Sequence, residues 1–212
     1  MLMENKRIIW RNFIQLICSL FFVFFTSCSS DNDNSATTIS LDEFLAPEYQ
    51  NIISKYMSLN KGSTPPNIEG LYYMNTPIIV FDSDGDDELD VDHATISLKN
   101  QSSANTVSFM LTEFVDMDND IFEQHVTPSD LCYISGSGNK FTLYFKFYEE
   151  YKDMGINCTE IIVISGVKTS LGLSNLSCAA IMIDKNDPNN DYYFGEIGDI
   201  RIMAEKDGLA SN

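Results

Sequence analysis

Histidine and positive charge are scarce in this chain. Its 212 residues hold two histidines and 13 Lys+Arg against 31 Asp+Glu, a net charge of -18. The shortage of cations argues against a nucleic-acid binder, which must release counterions from a phosphate backbone, and disfavours attachment to anionic lipid by a polybasic patch alone. His93 and His125 are too few and too far apart for a catalytic zinc centre, which needs three protein ligands at metal-binding spacing. No Gly-x-Ser-x-Gly elbow occurs, and Ser135-Gly136-Ser137-Gly138 has the composition of a turn. No glycine-rich phosphate cradle opens a helix. Carboxylates are too abundant for one pair to stand out as a glycosidase dyad. We therefore expect no enzyme. With 44% hydrophobic residues the chain is nevertheless a folding one.

Long apolar runs are also rare, and the one present is informative. Lys6, Arg7 and Arg11 precede the stretch Phe13 to Phe25, interrupted only by Gln15, Cys18 and Ser19. That is the length of a signal-peptide core and short for a spanning helix. It ends in Phe25-Thr26-Ser27-Cys28, followed by Ser29-Ser30-Asp31-Asn32-Asp33. Small residues before a cysteine at the end of an apolar core resemble the bacterial lipobox, in which the cysteine becomes the acylated N-terminus. A plain signal peptide or an uncleaved N-terminal anchor competes with this reading. The polar stretch after Cys28 favours the lipoprotein, with residues 1–27 as signal peptide and 28–39 as a flexible tether. The interleaved Ser, Asp and Asn also resemble the acidic signals that carry such lipoproteins to the outer face of the outer membrane. Removing residues 1–27 takes away three positive charges and one negative, leaving 10 against 30, or -20.

Residues 40–62 form the next block. Ser40 stands three residues before Glu43, the spacing of a capping box. Leu41, Phe44, Leu45, Tyr49, Ile52, Ile53, Tyr56 and Met57 follow at helical period, so 41–58 read as one amphipathic helix that Pro47 either kinks or splits. From Tyr72 the period becomes two. Ala94, Ile96 and Leu98, then Val107, Phe109 and Leu111, then Phe141, Leu143, Phe145 and Phe147 alternate with polar neighbours, the mark of half-buried strands. Further strands are expected at 71–81, 121–134, 159–168, 175–184 and 199–205. Seven or eight strands joined by short turns make an antiparallel meander, closed into a barrel or folded as a two-sheet sandwich; periodicity does not separate the two. Polar outer positions exclude a transmembrane barrel.

The stretch Pro66-Asn67-Ile68-Glu69-Gly70-Leu71-Tyr72, entering the first strand, is similar to a group of Bacteroidetes-type lipoproteins with a lipocalin-like (calycin-like) barrel of unassigned activity. The resemblance implies a lipocalin-like barrel of about eight strands over 63–207, preceded by the helix and followed by a tail at 208–212. It implies that Tyr72 closes the barrel floor, that Gly70 lets the backbone bend into the strand, and that an arginine near the last strand stacks on the aromatic ring. A small cavity goes with that fold.

Among the polar loops, Asp82-Ser83-Asp84-Gly85-Asp86-Asp87-Glu88-Leu89-Asp90-Val91-Asp92 is the candidate for chemistry. Alternating carboxylates suit Ca2+, which takes six to eight oxygens. Asp82, Asp84, Asp86 and Asp90 are the candidate ligands, although the glycine sits at position 4 and His93 at position 12, unlike an EF-hand. The competing reading is a solvated turn around Gly85. Asp116 to Asp120 and Asp184 to Asp191 are two further acidic turns; whether the three share an end depends on the number of strands between them. Cys132, Cys158 and Cys178 are odd in number and widely spaced, and read as small buried thiols. The expected function is that of a lipid-anchored, non-enzymatic cell-envelope lipoprotein that binds a small apolar ligand or an envelope partner. The alternative is a surface adhesion or glycan-interacting module with Ca2+ in its acidic loops.

Overall fold

The computed structural model describes residues 39–85, 93–117, 120–152, 154–188 and 195–212. Residues 36–212 are one compact unit carrying both hydrophobic cores. The capping box forms as its spacing predicts: the Glu43 amide donates to Ser40 Oγ at 3.3 Å, and the Ser40 amide donates to Glu43 Oε2 at 2.9 Å. It starts α1 (Leu41–Phe44), and α2 (Pro47–Ile53) follows. The single helix expected over 41–58 is thus split and shorter. Proline disfavours the α conformation in the residue before it, so Leu45 and Ala46 turn extended and Pro47 opens a new helix as its first residue.

The strands are β1 (Ser63–Thr64), β2 (Gly70–Met74), β3 (Pro77–Asp82), β4 (His93–Lys99), β5 (Thr106–Met117), β6 (Asp120–Ser137), β7 (Lys140–Tyr151), β8 (Ile156–Thr169), β9 (Gly172–Asn186), β10 (Ile200–Glu205) and β11 (Leu209–Ser211). β2 and β3 are two halves of one first strand, interrupted at Asn75-Thr76. β10 and β11 are likewise two halves of a last strand, interrupted at Lys206–Gly208. The interruptions face each other, with the Lys206 amide donating to the Thr76 carbonyl at 3.0 Å. The last strand lies antiparallel to β9 along its length and pairs back to the first, β10 with β3 and β11 with β2. Counted this way the ring has eight antiparallel strands, a closed lipocalin-like barrel. Closure leaves no sandwich. It also corrects one boundary: residues 209–211, read from the sequence as part of a tail, complete the last strand. Gly172, at φ +142, makes this possible, because a Cβ there would stand 2.1 Å from the Ala210 carbonyl oxygen.

Side-chain alternation sorts two cores. The lumen is filled by Tyr72, Ile96, Leu98, Phe109, Phe141, Leu143, Phe145 and Ile164, all buried. The second core lies outside the barrel, where Leu41, Leu45, Ile53 and Met57 cover Tyr144, Ile161, Val163, Ala179, Ile181 and Ile202. The helices therefore pack against the wall rather than plug a mouth. Asn60 pins the following linker to the same wall: its amide donates to Thr142 Oγ1 at 2.7 Å, its side chain donates to Ser165 Oγ at 2.9 Å, and its carbonyl accepts from Ser135 Oγ at 2.8 Å. Ser135, Thr142, Ser165 and Ser177 stand in register on four neighbouring strands.

Candidate functional site

The sequence directs attention to three places: the floor, the lumen and the acidic turns. At the floor, Tyr72 is fully buried and its hydroxyl donates to the Ile68 carbonyl at 2.8 Å. Gly70 has φ +156, and a Cβ on it would stand 2.9 Å from the Tyr72 ring and hydroxyl. The Gly-x-Tyr pattern is thus one packing unit, in which the glycine gives up its side chain so that the ring can fold over its backbone. The expected arginine is elsewhere. Arg201 Nε donates to Asp82 Oδ2 at 2.6 Å, near the opposite end of the barrel. Its place is taken by Lys168, whose ammonium donates to the Tyr72 hydroxyl at 2.9 Å and lies 4.8 Å from the ring centroid. This cation–π contact desolvates part of a lysine that a strand-end position would otherwise leave in water.

Among the described residues the lumen leaves little room. Its crevice, behind the interruption of the first strand, has a volume of about 30 Å³ and is lined by apolar side chains including Met74, Pro77, Ile96, Leu111, Cys178 and Met203. That is the space of roughly one water, whereas pockets for small molecules run to about 300–1,000 Å³. The fill comes from the inward aromatic row of β7: Phe145 meets Phe109 with ring centroids 5.0 Å apart. A larger hollow of about 570 Å³ lies outside the barrel, an open trough lined by Gln50, Ser54, Lys55, Ser58 and Lys61.

The acidic turns do share an end. With eight strands in the ring, the connections β3–β4, β5–β6, β7–β8 and β9–β10 all leave the barrel on one side. Asp82 and Asp84 border the first connection, Asp116 and Asp120 the second, Glu149 and Glu150 the third, and Asp184, Asp187, Glu196 and Asp199 the fourth. Of the candidate Ca2+ ligands, Asp82 and Asp84 are described and Asp86 and Asp90 lie outside the described residues. Asp82 is 8% exposed and has both oxygens engaged, one with Arg201 and the other with the Asp84 amide at 2.8 Å. A hydrogen bond with Asp199, then partial desolvation, then the negative charges of Asp199, Asp82 and Glu196 push the Asp84 carboxyl above the usual range. Ser83 ties this rim together, its hydroxyl donating to Asp199 Oδ1 at 3.3 Å and accepting from the Ile200 amide at 2.9 Å. Among the described residues no group of three or more His, Cys, Asp or Glu forms a metal-binding set.

His93 opens β4 opposite Phe114, and His125 on β6 pairs with the adjacent Glu113, so β5 runs between the two histidines. Cys132, Cys158 and Cys178 are thiols. Burial, with Glu160 and Glu149 beside it, pushes the Cys158 thiol up to about 12, so it stays protonated and unreactive at neutral pH. Sequence reasoning missed Lys168, the Asn60 clamp and β11. Their common signal is weak: a lone lysine, asparagine or short apolar pair at a strand end carries no period.

Comparison with protein-family models, with curated proteins and with solved structures finds no match. Among the described residues no helix is long and apolar enough to cross a membrane.

Proposed function

We propose that this chain is a lipid-anchored lipoprotein of the bacterial cell envelope, held in the outer membrane by an acylated Cys28, and that its lipocalin-like barrel binds an envelope partner through its outer surface without catalysis. The observation that carries the surface reading is the filling of the lumen: among the described residues its crevice of about 30 Å³ has no space for a cargo. The outer wall, by contrast, exposes Leu71 and Tyr73 on β2 and Met110 on β5, the strands on either side of β4. The anchoring reading rests on the sequence around Cys28. Only residues 29–38 separate that cysteine from Ile39, whose carbonyl is fixed to the barrel by the Tyr144 hydroxyl at 2.6 Å. Two acyl chains hold a protein firmly where one gives marginal binding.

Metabolic labelling with a radioactive or alkyne-bearing fatty acid in a bacterial host tests the anchor. We expect label in the membrane fraction for the wild-type chain and its loss in Cys28→Ala, with the variant released from membranes. Unlabelled wild-type protein found in the soluble fraction sinks the proposal. The alternative, an adhesion or glycan-interacting module with Ca2+ in the β3–β4 loop, is favoured by the carboxylates gathered at one end. It requires micromolar Ca2+ to raise the melting temperature by several degrees, reversibly with EDTA.

A further inference from the structure

The even number of strands sorts charge along the barrel axis. The floor end carries the β4–β5, β6–β7 and β8–β9 turns, and each turn is bordered by a lysine: Lys99, Lys140 and Lys168. Lys61 lies in the linker beside them, paired with Asp42, and Glu69 is the acidic residue before the first strand. The other end holds the carboxylates of all four remaining connections, answered by Lys152, Lys185 and Arg201. Lys185 donates to Glu196 at 2.8 Å and Arg201 to Asp82. The two ends are far apart: β8 runs between them over 14 residues, roughly 45 Å of strand at about 3.3 Å per residue and roughly 34 Å along the axis at a barrel tilt of about 40°. That is several times the Debye length of about 8 Å at physiological ionic strength, so a surface touching one end does not feel the other.

From this separation, and resting on the reading of the chain as membrane-tethered, we propose that the barrel stands on the bilayer with its lysine end toward anionic headgroups and its acidic end outward. An anionic lipid surface is the partner of the Lys99–Lys140 turns. Each exposed lysine near such a surface favours contact roughly fivefold, and each carboxylate at the opposite end opposes contact in the same way. The acidic rim is then the face shown to the outside, and the lysine turns and Tyr72 floor lie against the membrane.

The test supplies the tether chemically, so that it does not depend on acylation in the cell. A lipidated peptide is ligated to the N-terminus of residues 28–212, and a donor fluorophore is placed on an unnatural amino acid at Leu171 or at Lys152, both exposed turn positions. Energy transfer to an acceptor lipid is then read on vesicles of phosphatidylcholine with and without phosphatidylglycerol. We expect transfer from position 171 to exceed that from position 152 by about twofold on anionic vesicles, and the excess to vanish in ~1 M salt, where the Debye length is about 3 Å. Lys99→Glu with Lys140→Glu, an exposed pair whose folding is checked by its melting temperature, should erase the excess. Equal transfer from both positions on anionic vesicles, greater transfer from 152, or an excess that survives high salt overturns the proposal. Loss of fatty-acid labelling in the cell overturns only the anchoring reading.

Discussion

Opposite walls of this barrel obey different rules. On the bare wall, β2 to β5, apolar side chains point into the lumen and the outer face meets water: Leu71, Tyr73 and Met110 are 47%, 43% and 41% exposed. On the covered wall, β7 to β10, both faces are buried. Phe141, Leu143 and Phe145 fill the lumen while Tyr144 between them lies under Phe44, ring centroids 5.1 Å apart, with Tyr133 stacked at 5.8 Å. Ile161 to Gly166 are buried without a break. An antiparallel sheet normally faces water on one side, and a continuous apolar run marks a strand covered on both. The difference is made by the helix and linker segment 39–60. It turns half of the barrel into a three-layer structure, and it fixes Ile39, the entry to the fold, on that side.

Truncation on the covered wall separates its two layers. Phe145→Ala opens the lumen and is expected to destabilise by about 3–5 kcal/mol in urea unfolding, the cost of losing a buried aromatic together with the cavity left behind. Ile53→Ala, on α2, should cost about 2–5 kcal/mol although it touches nothing in the lumen; a cost near zero would mean the helices are dispensable and the two walls equivalent. The rim provides a reference away from both walls. Asp84 has its carboxyl raised by its neighbour Asp199. At neutral pH it is ionised and repelled, so Asp84→Asn should raise the melting temperature slightly. As pH falls below the ordinary carboxylate range the wild-type group is already neutral in both states, and the gain should disappear. A gain that grows in acid would contradict the assignment. Least affected of all should be Leu71→Ser with Met110→Ser, within about 0.5 kcal/mol of wild type, because the bare wall has no second layer to lose.

The two walls also divide what could be read in advance. Alternation over 94–98, 107–111 and 141–147 was enough to find the strands and the lumen, since a period of two reports burial on one face. It could not reveal that Tyr144, on the polar side of that alternation, is buried, because the layer covering it comes from 100 residues away. The split at Pro47 follows from local sterics, and a choice between kink and break needs only the backbone preference of the preceding residue. Closure lay beyond local signals: β11 is three residues long, and only its register with Gly172 and Tyr73 identifies it as a strand. The candidate Ca2+ ligands show the same limit. Composition singled out Asp82, but its partner Arg201 is 119 positions away, and no spacing rule connects them. Gly70 and Tyr72, two residues apart, were readable as a unit.

With its lumen filled among the described residues, the barrel on our proposal works through its outside. A titration of the purified protein with cis-parinaric acid, a fluorescent fatty acid that brightens in apolar pockets, tests this most directly. The packed lumen predicts no saturable enhancement and no rise in melting temperature at micromolar ligand. Saturable one-to-one binding that is strengthened by Phe145→Ala and abolished by bulk placed at Ala94, beside Met74 and Met203, would contradict it and make the barrel a ligand carrier.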